Sequence, residues 1–168
     1  MSVSPEADVG VTSLAVHPDG LHFVVGLREW GDDEEDDAEI LQQVRLYHVD
    51  GTLVHTFEGH NDTIEAVAVT PDGQHIISGA NDNLVKVWSV ASKSLVSTCG
   101  VVSNEDDAVG HTLGVFAVAA MPDGQRILSG AMDQTVRVWL LDGTLENTFE
   151  LHTGDVFALV ALPDNQHA

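Results

Sequence analysis

Basic side chains are scarce in this sequence. Six Lys and Arg stand against 27 Asp and Glu in 168 residues, a formal charge of −21. Binding phosphate backbones requires a basic stripe, so nucleic acid is a poor partner. The acidic excess favours solubility and attracts basic proteins or peptides. Cysteine is rarer still. Cys99 stands alone, which excludes an intrachain disulfide and makes a reducing compartment the default, cytoplasm or nucleus. No apolar run approaches the roughly 20 residues needed to cross a bilayer. Met1–Val9 has neither the basic start nor the apolar stretch of a secretory signal. These absences predict an intracellular chain without a membrane partner. Aromatics are sparse at 5%, whereas apolar residues reach 43% and glycines number 15, a composition suited to a core cut by many tight turns.

The residues present are arranged periodically. Ser78-Gly-Ala-Asn-Asp-Asn-Leu-Val-Lys-Val-Trp88 returns as Ser129-Gly-Ala-Met-Asp-Gln-Thr-Val-Arg-Val-Trp139. A Pro-Asp-Gly turn recurs at Pro18, Pro71 and Pro122, with a Pro-Asp-Asn variant at Pro163. Self-similarity at about forty residues predicts stacked modules, none able to bury its own faces alone. Each repeat opens on a small-residue and β-branched run, Val11–Val16, Ile64–Val69, Val115–Ala120 and Val156–Ala161. Such runs lack a polar side and suit strands buried on both faces. A second strand follows the turn, a third follows an Asn/Asp turn, and a fourth, more polar strand suits an outer rim. Four short strands with turns every 8–12 residues form an antiparallel meander.

Two insertions interrupt the period. About twelve extra residues lie between the second and third strands of the first repeat. They contain Gly31-Asp32-Asp33-Glu34-Glu35-Asp36-Asp37-Ala38-Glu39, of which seven are acidic. That run repels itself and is expected to be a disordered loop. The second insertion, Gly100–Gly110, carries Glu105, Asp106 and Asp107.

These residues resemble the WD-repeat β-propeller family from about Asp8 onward. The family pattern is Gly-His before strand one, Ser or Thr ending strand two, Asp in the next turn and Trp ending strand three. Repeat two supplies Gly59-His60, Ser78, Asp82 and Trp88; repeat three supplies Gly110-His111, Ser129, Asp133 and Trp139. Repeat four begins at His152 with Leu151 in place of Gly. Repeat one has Ala7, Val25 and Tyr47 at the His, Ser and Trp positions, so the polar network is expected to be absent there. The resemblance implies an all-β, incomplete propeller: three four-stranded antiparallel blades plus one strand, in an open arc. The blades are expected at 8–58 (with its acidic insertion at 31–39), 59–100 and 110–150, with a fourth begun at 151–168. A chain that stops inside a repeat is read as a fragment, as half of an assembly completed by a copy or partner, or as an open solenoid.

His, Ser and Asp together suggest a hydrolase, since imidazole can take a hydroxyl proton while a carboxylate fixes its tautomer. The set occurs in two repeats, however, and each includes an indole N–H that needs an acceptor when buried. The resemblance implies that Asp orients His, His bonds Ser, and Ser accepts from Trp, making both tetrads scaffold rather than catalytic residues. The nine histidines show no paired spacing with a further partner nearby, so zinc is not expected. The acidic run lacks a calcium loop's ligand alternation and central Gly. Neither a phosphate loop nor a nucleophile elbow occurs, and no cofactor is expected.

The resemblance puts both acidic insertions on one propeller face. Glu65, Phe116 and Phe157 follow the start of strand one, where the family's strand opens onto the central funnel; Thr12 is their counterpart in repeat one. Aromatics beside carboxylates suit a Lys- or Arg-bearing peptide, although both phenylalanines could equally pack between blades. The expected function is a non-catalytic protein-interaction scaffold. The alternatives are an acidic-face reader of basic peptides, a substrate-recognition segment of a larger enzyme complex, or a truncated product without function.

Overall fold

Short apolar runs separated by Asp-containing turns give twelve β-strands and, among the described residues, no helix. The computed structural model describes residues 8–30, 42–100, 109–150 and 152–162. The first sheet holds β1 (Asp8–Val16), β2 (His22–Trp30), β3 (Gln43–His48) and β4 (Leu53–Glu58). The second holds β5 (Ile64–Val69), β6 (His75–Ala80), β7 (Val85–Ser89) and β8 (Ser94–Cys99). The third holds β9 (Val115–Ala120), β10 (Arg126–Ala131), β11 (Val136–Leu140) and β12 (Leu145–Phe149). Each sheet is an antiparallel meander in chain order.

The Pro-Asp-Gly turns explain why the first two strands of each sheet pair as they do. Proline sets φ for the turn, and glycine takes the left-handed conformation at φ 69, 70 and 68° for Gly20, Gly73 and Gly124. The aspartate between them accepts a backbone N–H two residues on, from Leu21, Gln74 and Gln125, at 2.8–2.9 Å.

Dry layers lie between the sheets. One joins Val24, Val44, Leu46 and Phe57 of the first blade to Ile64, Val67, Ile76, Ala80 and Trp88 of the second. The other joins Ala66, Ile77, Val85, Val87 and Cys99 to Val115, Val118, Ile127, Ala131 and Trp139 of the third. The sheets approach closely through a repeated glycine on each second strand. A Cβ on Gly26 would lie 2.7 Å from Ile64 Cγ2, on Gly79 2.6 Å from Val115 Cγ1, and on Gly130 2.5 Å from Val156 Cγ1. The glycine therefore leaves a notch that the next strand-one residue fills. Between the first two blades, the Thr12 hydroxyl donates to the Ile64 carbonyl and Ser13 Oγ accepts from the Val67 N–H at 3.1 Å.

Three features differ from the sequence expectation. The first hairpin is longer, because Asp8–Val11 pair with Leu27–Trp30; strand two thus runs on to the edge of the acidic insertion instead of ending at Gly26, as its counterparts at Gly79 and Gly130 suggest. Strand one is buried on both faces only in the inner blades. Val11, Leu14 and Val16 of β1 are 60, 58 and 68% exposed, because β1 packs on the second blade alone. Finally, the segment expected as a thirteenth strand, 155–161, is not a strand. It lies against the third blade, with the Val156 N–H donating to the Ala131 carbonyl at 3.1 Å and Val156 seated on Gly130. Among the described residues it has no second strand to form a ladder with. The Pro163 turn lies outside the described residues.

Two outcomes follow from this packing. Gly79→Ala forces a methyl into Val115 and should lower stability by about 1–3 kcal/mol, measured as a shift in the urea midpoint. Cys99 is buried in the second layer. Burial, and after it the Asp142 charge, pushes its thiol up to about 12. A chromogenic disulfide reagent at pH 8 should therefore label Cys99 no faster than the chain opens.

Candidate functional site

The turn between the second and third strands of a blade determines where its tetrad forms. In the second blade, Asp82 Oδ1 accepts the Leu84 N–H at 3.1 Å, closing a turn in which Asn83 has φ 67°. The other oxygen, Oδ2, accepts the Asn61 N–H at 3.0 Å and lies 2.8 Å from His60 Nδ1. An ionised carboxylate only accepts, so Nδ1 carries the proton and His60 Nε2 is an acceptor. Nε2 therefore takes the Ser78 hydroxyl proton at 2.7 Å, and Ser78 Oγ accepts the Trp88 indole N–H at 2.8 Å.

The third blade repeats the chain of bonds. Asp133 Oδ2 lies 2.9 Å from His111 Nδ1, His111 Nε2 lies 2.7 Å from Ser129 Oγ, and Trp139 Nε1 donates to Ser129 Oγ at 2.7 Å. Asp133 Oδ1 also accepts from the Thr135 N–H and hydroxyl at 3.0 and 2.7 Å. Burial pushes the Asp82 and Asp133 carboxyls up. Hydrogen bonds from their histidines, turn N–H groups and, for Asp133, the Thr135 hydroxyl outweigh it and hold both below the ordinary carboxylate range. Burial lowers His111 below the ordinary imidazole value, against the pull of Asp133. Donor order from carboxylate to hydroxyl matches that of a nucleophilic triad, but Ser78 and Ser129 are fully buried and their oxygens already accept an indole N–H.

The first blade has no such chain at these positions. Val25 is buried, and Tyr47 stacks on Phe23 with ring centroids 5.5 Å apart and planes 15° apart; Ala7 lies outside the described residues. The basic residue two positions before the strand-three aromatic recurs as Arg45, Lys86 and Arg137, half of the chain's Lys and Arg. Each makes local bonds: Arg45 to Gln43 Oε1 at 2.9 and 2.7 Å, Lys86 to Thr98 Oγ1 at 3.4 Å, and Arg137 to the Val109 carbonyl.

Glu65 and Phe116 of the first strands and Phe157 beyond them form a strip across the blades. Asn81 Nδ2 donates to Glu65 Oε1 at 2.9 Å, and Asn81 and Phe116 both flank Gly114. Phe116 meets Phe157 edge to face at 5.5 Å. Phe116 is half-buried, whereas Phe157 is 63% exposed. Asn81 was not singled out from sequence, because only the fold brings its amide to Glu65. The acidic residues Asp32, Asp33, Glu34, Glu35, Asp36, Asp37, Glu105, Asp106 and Asp107 lie outside the described residues.

The reading of the histidines as scattered needs one correction. His17, Asp19 and His22 bring one ligand-type atom each to within 4.8 Å of one another. The backbone brings them together, since the His17 N–H donates to the His22 carbonyl at 3.0 Å and closes the turn around Asp19. The signal in the sequence was His-x-Asp-x-x-His across a hairpin turn.

A protein-family model described as WD domain, G-beta repeat matches residues 51–89 and 105–139. The Neurospora crassa small ribosomal subunit protein RACK1 is 33% identical over 112 residues, 65% of this chain and 32% of that protein. Periodic tryptophan protein 2 of Arabidopsis thaliana is 39% identical over 88 residues, 52% of this chain and 9% of that protein. The chain thus spans a third or less of these relatives. A solved structure of U3-55K superposes with a TM-score of 0.74 at 21% identity, covering 93% of this chain and 44% of that one. At that identity the likeness concerns the fold alone.

Removing the indole donor leaves the buried serine oxygen without the N–H that it accepts. Trp88→Phe and Trp139→Phe should each lower stability by about 1–3 kcal/mol in denaturant melts. Acid should act on the same groups. His111 resists a proton that the unfolded chain accepts, so stability should fall as pH drops below about 6.5. It should fall again below about pH 4, where the unfolded chain's carboxylates take up protons and the stabilisation from Asp82 and Asp133, whose folded values are depressed, is lost. Thermal midpoints measured from pH 8 to 3 check both steps.

Proposed function

The chain carries WD40 repeats, and from that premise we propose that it is a non-catalytic scaffold for protein–protein interaction. The observation that carries this reading is the use made of the triad-like residues His60, Ser78 and Asp82, and His111, Ser129 and Asp133. Both sets are sealed inside blades, and each serine is held by an indole N–H and an imidazole, so neither hydroxyl is open to a substrate. Binding then falls to the exposed edges and loops. One relative is by name a protein of the small ribosomal subunit, a component of a larger assembly, which supports the same reading.

Charge favours a second reading, that the partner segment is basic. A net charge of −21 steers cationic peptides toward the chain. The strip of Glu65, Phe116 and Phe157 offers a carboxylate and an exposed ring for charge pairing and cation–π contact. The acidic insertions, Asp32–Asp37 and Glu105–Asp107, would add to that field.

Pull-down on the immobilised full chain tests both readings. Phe157→Ala combined with Glu65→Lys should reduce capture of protein partners by about tenfold, with the thermal midpoint unchanged; undiminished capture removes the strip from the site. Reversing Asp32–Asp37 to lysine should weaken capture of a Lys/Arg-rich peptide at moderate salt, and survival of that binding ends the basic-peptide reading. Hydrolysis of activated esters that disappears in Ser78→Ala or Ser129→Ala would overturn the scaffold reading itself.

A further inference from the structure

We propose that His17, Asp19 and His22, at the β1–β2 turn, form a site for a divalent transition-metal ion of the zinc class. His17 Nδ1 lies 3.0 Å from Asp19 Oδ1, and His22 Nδ1 lies 2.7 Å from Asp19 Oδ2. A tetrahedral zinc ion with bonds of about 2.0–2.1 Å separates neighbouring ligand atoms by about 3.4 Å. Small side-chain rotations supply that difference.

The His17 tautomer fits a ligand. His17 Nε2 lies 2.9 Å from the Gly73 carbonyl, which can only accept, so Nε2 carries the proton. Its Nδ1 lone pair therefore faces Asp19, whose backbone N–H donates to it at a long 3.3 Å that an ion would displace, and Gly73 holds the ring as an outer-shell carbonyl holds a metal-bound imidazole. Asp19 Oδ1 accepts the Leu21 and His22 N–H groups at 2.8 and 3.1 Å, which fixes the carboxylate, while Oδ2 lies 2.7 Å from His22 Nδ1, so a bound ion would take the place of the proton held between them. The three side chains are 12, 35 and 29% exposed, open enough for an ion to enter and for water to complete its coordination.

The other blades show that the turn itself does not need these histidines. The same Pro-Asp-Gly turn is flanked by Thr70 and His75 in the second blade and by Met121 and Arg126 in the third. Asp72 is satisfied by the Thr70 hydroxyl and Asp123 by Arg126 Nε, both at 2.6 Å. All three turns use the aspartate in the same backbone role, and only the first surrounds it with two imidazoles. Arg126 and Thr70 therefore give substitutions that the turn accepts.

Titrating the full chain with ZnCl2 in metal-free buffer by calorimetry tests the site. One equivalent should bind, and His22→Arg should weaken it by about tenfold or more while the circular dichroism spectrum is unchanged. His17→Thr should weaken it likewise, and exposed His152→Ala should not. Absence of saturable binding, or parent-like affinity in folded His22→Arg and His17→Thr, overturns the proposal, because the residual affinity then comes from elsewhere on an acidic surface.

Discussion

The whole arrangement depends on one packing constraint, the absence of a side chain at Gly26, Gly79 and Gly130. A four-stranded sheet of about forty residues cannot hide both of its faces. It gains a dry interior only when the next sheet comes close enough for apolar side chains to interlock. Ile64, Val115 and Val156 enter the three glycine notches in turn, and the apolar layers form around them. Residue 156 fills its notch although it belongs to no strand, so the knob-and-notch contact does not require a completed sheet. Burial follows the same rule: strand one is buried in β5, which lies between the two layers, and in β9, which adds to the second layer a contact of Phe116 with Phe157, and exposed in β1, which borders only one layer.

Within a blade, polar order complements apolar packing. Asp82 and Asp133 each close a tight turn with one oxygen and orient a histidine with the other. The bond chain then runs inward through serine to the indole at the end of the third strand, connecting the loop before strand one to strands two and three. Buried polar groups stabilise only when all are satisfied, and here each donor has an acceptor. The first blade lacks the polar chain, and there Tyr47 stacks on Phe23 with both rings only half-buried. Its distinctive polar cluster lies instead at the opposite turn, around Asp19.

Much of this was legible because the chain repeats itself. Recurrence of Ser-Gly-Ala-x-Asp and of the Val-basic-Val-Trp segment marked the strand order and the turns, and the resemblance to WD repeats marked the tetrad members. What escaped was whatever depends on a neighbour beyond the repeat. The extension of the first hairpin through Leu27–Trp30 was hidden because an insertion and a strand share that stretch, and only pairing with Asp8–Val11 separates them. Asn81 bridging toward Glu65, and the convergence of His17 with His22, arise from contacts that sequence spacing does not specify.

The sequence by itself determined the module: a four-stranded meander, its Asp-Gly turns, its alternation of buried and rim strands, and a charge excluding any broad basic surface. Those follow from local propensity and periodicity, which act within a few residues. Tertiary structure alone decided which faces are dry, which strand-one runs stay exposed, and which side chains meet across a turn or between blades. Burial is a property of the pair of surfaces in contact, and a segment such as Val11–Val16 has the same residues whether or not a neighbour covers it.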